Sequence, residues 1–418
     1  MATAATMTEL NGWFKTSYAD KIKDLTPENL YYSKECKPLS LEARPGGAYT
    51  VPVTVTSEQG ITKAAANAGA FALNAPIAMG TTSASIEGAQ LLLRSALDYE
   101  SIFRSKNKNS FIAASKGVVK NMIKSSYFYL EADAMHGKSG IGVVSSISSN
   151  TITLTTASFA SGLWLGSENR RLRIETSAGV LRGECSVSSY SISGRTVTVD
   201  SAPAGVASTD VIYFAADGAS GANSMLGIRK MINDSTGTLF GINRATYSLW
   251  NSASTYSAGS GPLTFTKIMK AINQGVNKGL GDDISEIDVV VNPGAFTDLG
   301  NDLATLRSLD SSWKSTEAAN GAEAICFYSQ AGKVSIIPHK MMKEGDAFVH
   351  PKASKAFEFA GSVPTPTFDL PGSVAGKDSQ YLKPMENNAG VETRLYWNNA
   401  VFTDKIAGMV LITDIVNS

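Results

Sequence analysis

The chain has 418 residues, 43% of them hydrophobic and 18% charged, and its 37 basic residues balance its 37 acidic ones. That size and composition suit two or three packed domains, and zero net charge excludes a global field drawing the protein to nucleic acid or lipid. Cys36, Cys185 and Cys326 are too scattered for a disulfide framework or a zinc pattern, and MATAATMTEL lacks the basic-then-apolar order of a secretory signal, so we expect a soluble, cytosolic product with no membrane span.

Residues 1–40 are polar and weakly patterned. ELNGWFKTSYADKIKDL predicts a short helix around Trp13, Phe14 and Ile22, and LTPENLYYSKE reads as a tethering arm. YTVPVTVTS alternates β-branched and polar residues, the pattern of a strand, and Pro52 places that strand at an edge. After an aperiodic, small-residue stretch to Gly80, TTSASIEGAQLLLRSALDYE is expected to return as a second extended arm, making a protruding hairpin.

Asn109 to Asp133 predicts a long helix. Phe111, Val118, Met122 and Tyr129 share one face, widened by Ile112, Val119, Ile123 and Leu130. Lys116, Lys120 and Lys124 follow each other at four-residue spacing on the opposite side, and Gly137 and Gly140 provide a stop. From 141 to 218 the pattern changes to short alternating runs: IGVVSSI, NTITLT, RLRIET, GVLRGECSV, RTVTVD and DVIYFA. Six strands in about eighty residues fit a small barrel or sandwich inserted in a loop of a larger host. Leu154, Trp164, Leu165, Leu172, Ile174, Val187, Val197, Val199, Ile212 and Phe214 are its expected core, and the unit is expected to fold autonomously. Residues 262–338 read as α/β. FTKIMKAINQGVNKGL makes an amphipathic helix, EIDVVVNP a buried strand, AFTDLGNDLATLRSL a second helix, and AICFYSQAGKVSIIP a hairpin. VETRLYWNNAVFTDKIAGMVLITDI ends the chain with two strand-like runs.

Chemistry is sparse. His136, His339 and His350 have no metal-binding spacing. HKMMKEGDAFVH brings His339, Asp346 and His350 close in sequence, and such turn-flanking histidines are read as structural. There is no phosphate-binding loop, nucleophile elbow or dinucleotide fingerprint. No catalytic, cofactor-binding or metal residue is assigned, and we expect no enzyme and no cofactor. From Arg94 to Lys124 seven Lys/Arg face two acids, Asp98 and Glu100. Lys116, Lys120 and Lys124 are therefore the candidate DNA-facing residues, weighed against a merely solvated helix face.

The order of these parts resembles the major capsid protein of tailed bacteriophages, the Hong Kong 97 (HK97-like) fold. IEGAQLLLRSALDY followed by FIAASKGVVKNMIKSSYFYLEADAMHGKSGIG is similar to the extended loop and spine helix of capsid proteins with a β insertion at this point. GTLFGINRATYSLW resembles the hairpin that follows, and IDVVVNPGAFTDL, GKVSIIPH and KEGDAFVH resemble the axial domain and its flanking strands. The resemblance implies an α+β class and this organisation: an N-terminal arm (1–43), extended loop (44–97), spine helix in the peripheral domain (98–137), inserted β domain (138–221), continued peripheral domain (222–261), axial domain (262–338) and return strands (339–418). It also implies homo-pentamers and homo-hexamers in an icosahedral virion shell around double-stranded DNA, assembled in the host cytoplasm with a portal and with possible scaffold or decoration proteins. Lys63 lies in the presumed loop, but no asparagine or acid is assigned to cross-link with it. An encapsulin-type nanocompartment is the alternative on the same fold, and a β-rich carbohydrate-active enzyme is a distant third.

Overall fold

The computed structural model describes residues 30–38, 49–98, 108–234, 236–252, 255–307, 325–368, 383–385 and 388–417, and within the long helix the side chains from 118 onward. The short helix expected around Trp13 lies outside the described residues.

The host is organised by a six-stranded mixed sheet. Its order is Thr255–Gly261, Val410–Ile415, Ala347–Pro351, Glu286–Val291, Gly332–Pro338 and Ile325–Ser329. The central strand is parallel to Gly332–Pro338 and antiparallel to Ala347–Pro351. Successive side chains point to opposite faces. Val289, Val291, Val349 and Ile412 join one core, with Ile268 and Ile272 of the helix Phe265–Val276 and Leu299 of the helix Pro293–Arg307. Val290, Phe348 and Leu411 enter the other core, with the long helix. Sheet burial on both faces explains why Ile287–Val291 is buried throughout and apolar except at Asp288, whose carboxylate is hydrogen-bonded.

The long helix runs from Lys108 to His136. Its last turns are buried all round, including Glu131, Asp133 and His136. A polar sequence here does not mark a solvent face, because loops of the host cover it.

The expected two-armed hairpin is shorter than the sequence suggests. Tyr49–Thr54 pairs antiparallel with Thr81–Ile86, from Tyr49↔Ile86 to Thr54↔Thr81. Ala89–Asp98 is not part of that arm. It pairs along its whole length with Gly390–Asn399, which also carries Val363–Thr367 and Lys383–Pro384. Alternation marks a strand without naming its partner. The break falls at Glu87–Gly88, where a Cβ on Gly88 would stand 2.0 Å from Asn398 Oδ1.

Residues 142–214 form a closed six-stranded barrel. Val211–Phe214, Gly142–Ser148, Thr151–Leu154, Thr196–Val199, Leu181–Ser191 and Arg171–Glu175 pair in that order, and the last returns to the first. Nine of the ten expected core side chains are buried. Leu165 is half-buried, and Leu163 takes the inward place because Ser161–Trp164 makes a helical turn. The chain segments leading into and out of the barrel meet at glycines: Gly227 N–H donates to Gly137 O at 3.1 Å, and a Cβ on Gly137 would lie 2.1 Å from Met225 O. The barrel core is continuous with that of the host, through Leu130, Met135, Met341 and Met342. The loop 339–346 clasps it. Gly162 N–H donates to Lys340 O, Glu344 N–H to Phe159 O and Gly345 N–H to Ala157 O, and Arg195 pairs with Glu344 at 2.8 Å.

The end of LTPENLYYSKE, read as a tethering arm, packs onto this same chain. Tyr31–Pro38 is docked, and Tyr32 is fully buried.

Candidate functional site

Among the described residues, exposed large apolar side chains gather on the hairpin's connection, residues 55–80. Ile61, Phe71, Leu73, Ile77 and Met79 are all more than half exposed, Leu73 reaching 80%. Hydrogen bonds lace the connection to itself: Gln59 N–H donates to Ile77 O (3.1 Å), Asn74 N–H to Thr62 Oγ1 (2.8 Å) and Gly80 N–H to Thr56 Oγ1 (2.7 Å). Large side chains held out on a hydrogen-bonded ribbon are the usual signature of a surface covered in an assembly. Lys63 on this ribbon is exposed.

The lysine stripe is placed in part. Lys120 is exposed and Lys124 half-buried, while the side chain of Lys116 lies outside the described ones. Met122 is buried, and Val118 and Tyr129 half-buried, on the apolar face.

A second cluster, missed in the sequence, lies where the helix end, barrel root and central sheet meet. His136 Nε2 sits 2.7 Å from Met341 O, Lys343 Nζ donates to Gly140 O at 2.9 Å, and Arg229 pairs with Asp346 at 2.6 Å. Burial pushes Lys343 down to about 7, helped by Arg229 and opposed by Asp346. Burial, then Lys343, also pushes His136 well below the ordinary imidazole range. Asp133 and Asp217 lie close enough to repel. Burial raises both, Asp217 to about 7. Arg170 stacks over Phe128 at 4.4 Å and over Phe214 at 5.5 Å, bridging helix and barrel. The signal available in the sequence was the density of charge in EADAMHGK and HKMMKEGD.

The three histidines face protein groups. His339 Nδ1 accepts from Met341 N–H at 3.2 Å and its Nε2 lies 3.2 Å from Glu131; His350 Nε2 lies 2.9 Å from Tyr32 OH. Asp346, which the sequence sets between them, is committed to Arg229. Among the described residues no group of three or more metal-ligating side chains converges, and no described helix is long and apolar enough to cross a membrane. A cleft of about 640 Å³ beside the hairpin base is lined by Val53, Trp250, Asp283, Lys355, Phe402 and Lys405, of which Lys405 and Asp283 pair at 2.5 Å.

No family model matches the sequence, and no curated protein matches it either. Among solved structures, a chain of the capsid asymmetric unit of cyanophage A-1(L) is similar, with TM-score 0.56 and 11% identity over 98% of both chains. The capsid of Myoviridae phage XM1 gives TM-score 0.48 at 8% identity over 99% of this chain and 100% of that one. The capsid of an empty GTA particle gives 0.47 at 9% identity over 100% of each. Spanning nearly the full length of both chains, the likeness to the cyanophage capsid carries the conclusion about architecture: this chain has the HK97-like fold of tailed-phage major capsid proteins.

Proposed function

We propose that this chain is a major capsid protein whose copies assemble as pentamers and hexamers into an icosahedral shell enclosing the double-stranded DNA of a tailed phage. The observation that carries the reading is the exposed ribbon 55–80 on a capsid fold. Five large apolar side chains there stand more than half exposed among the described residues, and a neighbouring copy in a closed ring supplies a cover. The shell is the virion capsid, built in the host cytoplasm, and the protein acts structurally rather than as an enzyme. Lys116, Lys120 and Lys124 face the lumen and make diffuse, salt-screened contacts to packaged DNA. The barrel stands on the outer surface, where it widens contacts between capsomers or receives decoration proteins.

The test is to image the purified protein by electron microscopy and to measure its nucleic-acid content. Closed shells with DNA, or DNA-competent empty shells, are expected. Shells filled with a cargo enzyme would turn the reading to a nanocompartment. A monodisperse monomer at high concentration would refute assembly altogether.

A further inference from the structure

Tyr31–Pro38 meets the rest of the protein as a peptide meets a receptor. Its hydrogen-bond partners are remote in sequence, Glu131 being 98 positions or more away. Glu131 Oε1 accepts from the N–H groups of Tyr31 (2.9 Å) and Tyr32 (2.8 Å), and Oε2 from the N–H (2.8 Å) and hydroxyl (2.6 Å) of Ser33. One carboxylate therefore gathers four donors. Tyr31 OH donates to Asp288 Oδ2 at 2.5 Å. The Tyr32 ring stands edge-on to Phe357 at 5.9 Å, and Lys37–Pro38 adds a parallel strand to Glu358–Phe359. Burial alone would raise the Glu131 carboxyl, but the His339 ring 3.2 Å away and the hydrogen bonds from Ser33 outweigh it and hold the group below its ordinary range.

Glu131 has a second face. Its Oε1 lies 3.2 Å from Nε2 of His339, the first residue of the loop 339–346 that clasps the barrel. His339 is fixed by its own N–H to Val291 O (2.8 Å) and by accepting from Met341 N–H. Met341 O in turn receives His136. One buried carboxylate thus stands between the docked segment and the barrel's clasp.

We propose that Tyr31–Pro38 is a displaceable peptide strap, and that its seating on Glu131 orders, through His339, the loop that holds the barrel. The cleft recognises a Tyr-Tyr-Ser peptide: the carboxylate reads three consecutive backbone N–H groups, and Asp288 and His350 read the two phenols.

The experiment uses the full chain with a specific protease site placed between Pro38 and Tyr49, cut after folding. The N-terminal fragment is expected to stay bound through gel filtration and to be displaced by excess synthetic peptide spanning residues 28–38. Removing the fragment should speed amide exchange about 10-fold or more at 340–346 and 157–162, leaving 265–276 unchanged. Glu131→Gln keeps the volume but turns one acceptor into a donor against N–H groups, and should weaken fragment retention by roughly 30-fold. A fragment that falls away from the wild-type body on cutting, or is held equally by Glu131→Gln, would overturn the strap. Removal with unchanged exchange at 340–346 would overturn the coupling.

Discussion

Replacing Lys343 by methionine should stabilise the protein at acidic pH and leave it nearly unchanged at alkaline pH. Lys343 is 3% exposed, its amine bonds Gly140 O, and the Arg229 cation lies nearby. Asp346, the opposing carboxylate, is held by Arg229. Burial takes the folded-state value from 10.5 to about 7. Between those values the unfolded chain binds one more proton than the folded one, so stability rises with pH, by up to about 1.4 kcal/mol per unit. Below pH 7 the full unfavourable term is present, about 5 kcal/mol; at pH 9 about 2 kcal/mol remains. Methionine keeps the apolar stem and removes the charge, but leaves the Gly140 carbonyl without its donor, costing about 1–3 kcal/mol. The net gain is then roughly 2–4 kcal/mol at pH 6 and roughly zero at pH 9. Urea denaturation of the unassembled chain at both pH values, followed by tryptophan fluorescence, reads the difference directly. The Asp133–Asp217 pair titrates in both proteins and largely cancels in the comparison, whereas His136 loses one of the charges that hold it low, which adds to the gain at acidic pH. A change in stability that is independent of pH, or a loss at pH 6, would refute the account of Lys343 as a strained buried cation.

Gly137→Ala should destabilise by about 3 kcal/mol or more, because its Cβ meets backbone oxygens of Met225 and Asp133 at 2.1 and 2.6 Å. Gly300→Ala, with nothing within 4 Å, should instead raise the melting temperature slightly. Phe71→Ser with Leu73→Ser should leave circular dichroism unchanged and abolish shells in sedimentation velocity; normal shells would remove the ribbon from the assembly surface. Glutamine at Lys116, Lys120 and Lys124 together should leave shells forming while DNA retention falls and its salt dependence flattens. A Gly/Ser link in place of residues 142–214 strips the cover from Met341 and Met342 and removes the acceptors of Glu344 and Gly345 N–H. That chain should aggregate, and full-size shells from it would show the barrel to be an accessory.

The barrel was readable because each of its strands alternates cleanly, as in Thr196–Val199 and Val211–Phe214, and its turns carry Gly, Asn and Ser. The hairpin Ile325–Ser329/Gly332–Pro338 was readable for the same reason. Pairings were not. Ala89–Asp98 has a strand pattern, but nothing in it names Gly390–Asn399 as partner. Buried polarity was also hidden: Glu131, Asp133 and His136 break the apolar stripe of the helix and so look solvated, although loops far along the chain enclose them. Tyr31 and Tyr32 resembled a tether because their receptors are a carboxylate, an aspartate and a histidine brought together only by the fold.

The reach of these pairings also sets an order of folding. In the barrel, Asn150 bonds across to Asp200, 50 positions away. Arg94 waits for Glu392, 298 positions on, and Ser257 for Asp414, 157 positions on. Loop closure over such lengths is slow, and a strand without its neighbour is an open edge. During synthesis the barrel can close while Ala89–Asp98 and Thr255–Gly261 still lack partners. It would then be the first finished piece of the molecule, and its root, pinched at Gly137 and Gly227, would hold the end of the long helix in place before the central sheet exists. Pulse-labelled amide exchange during refolding should find protection at 142–214 well before 89–98.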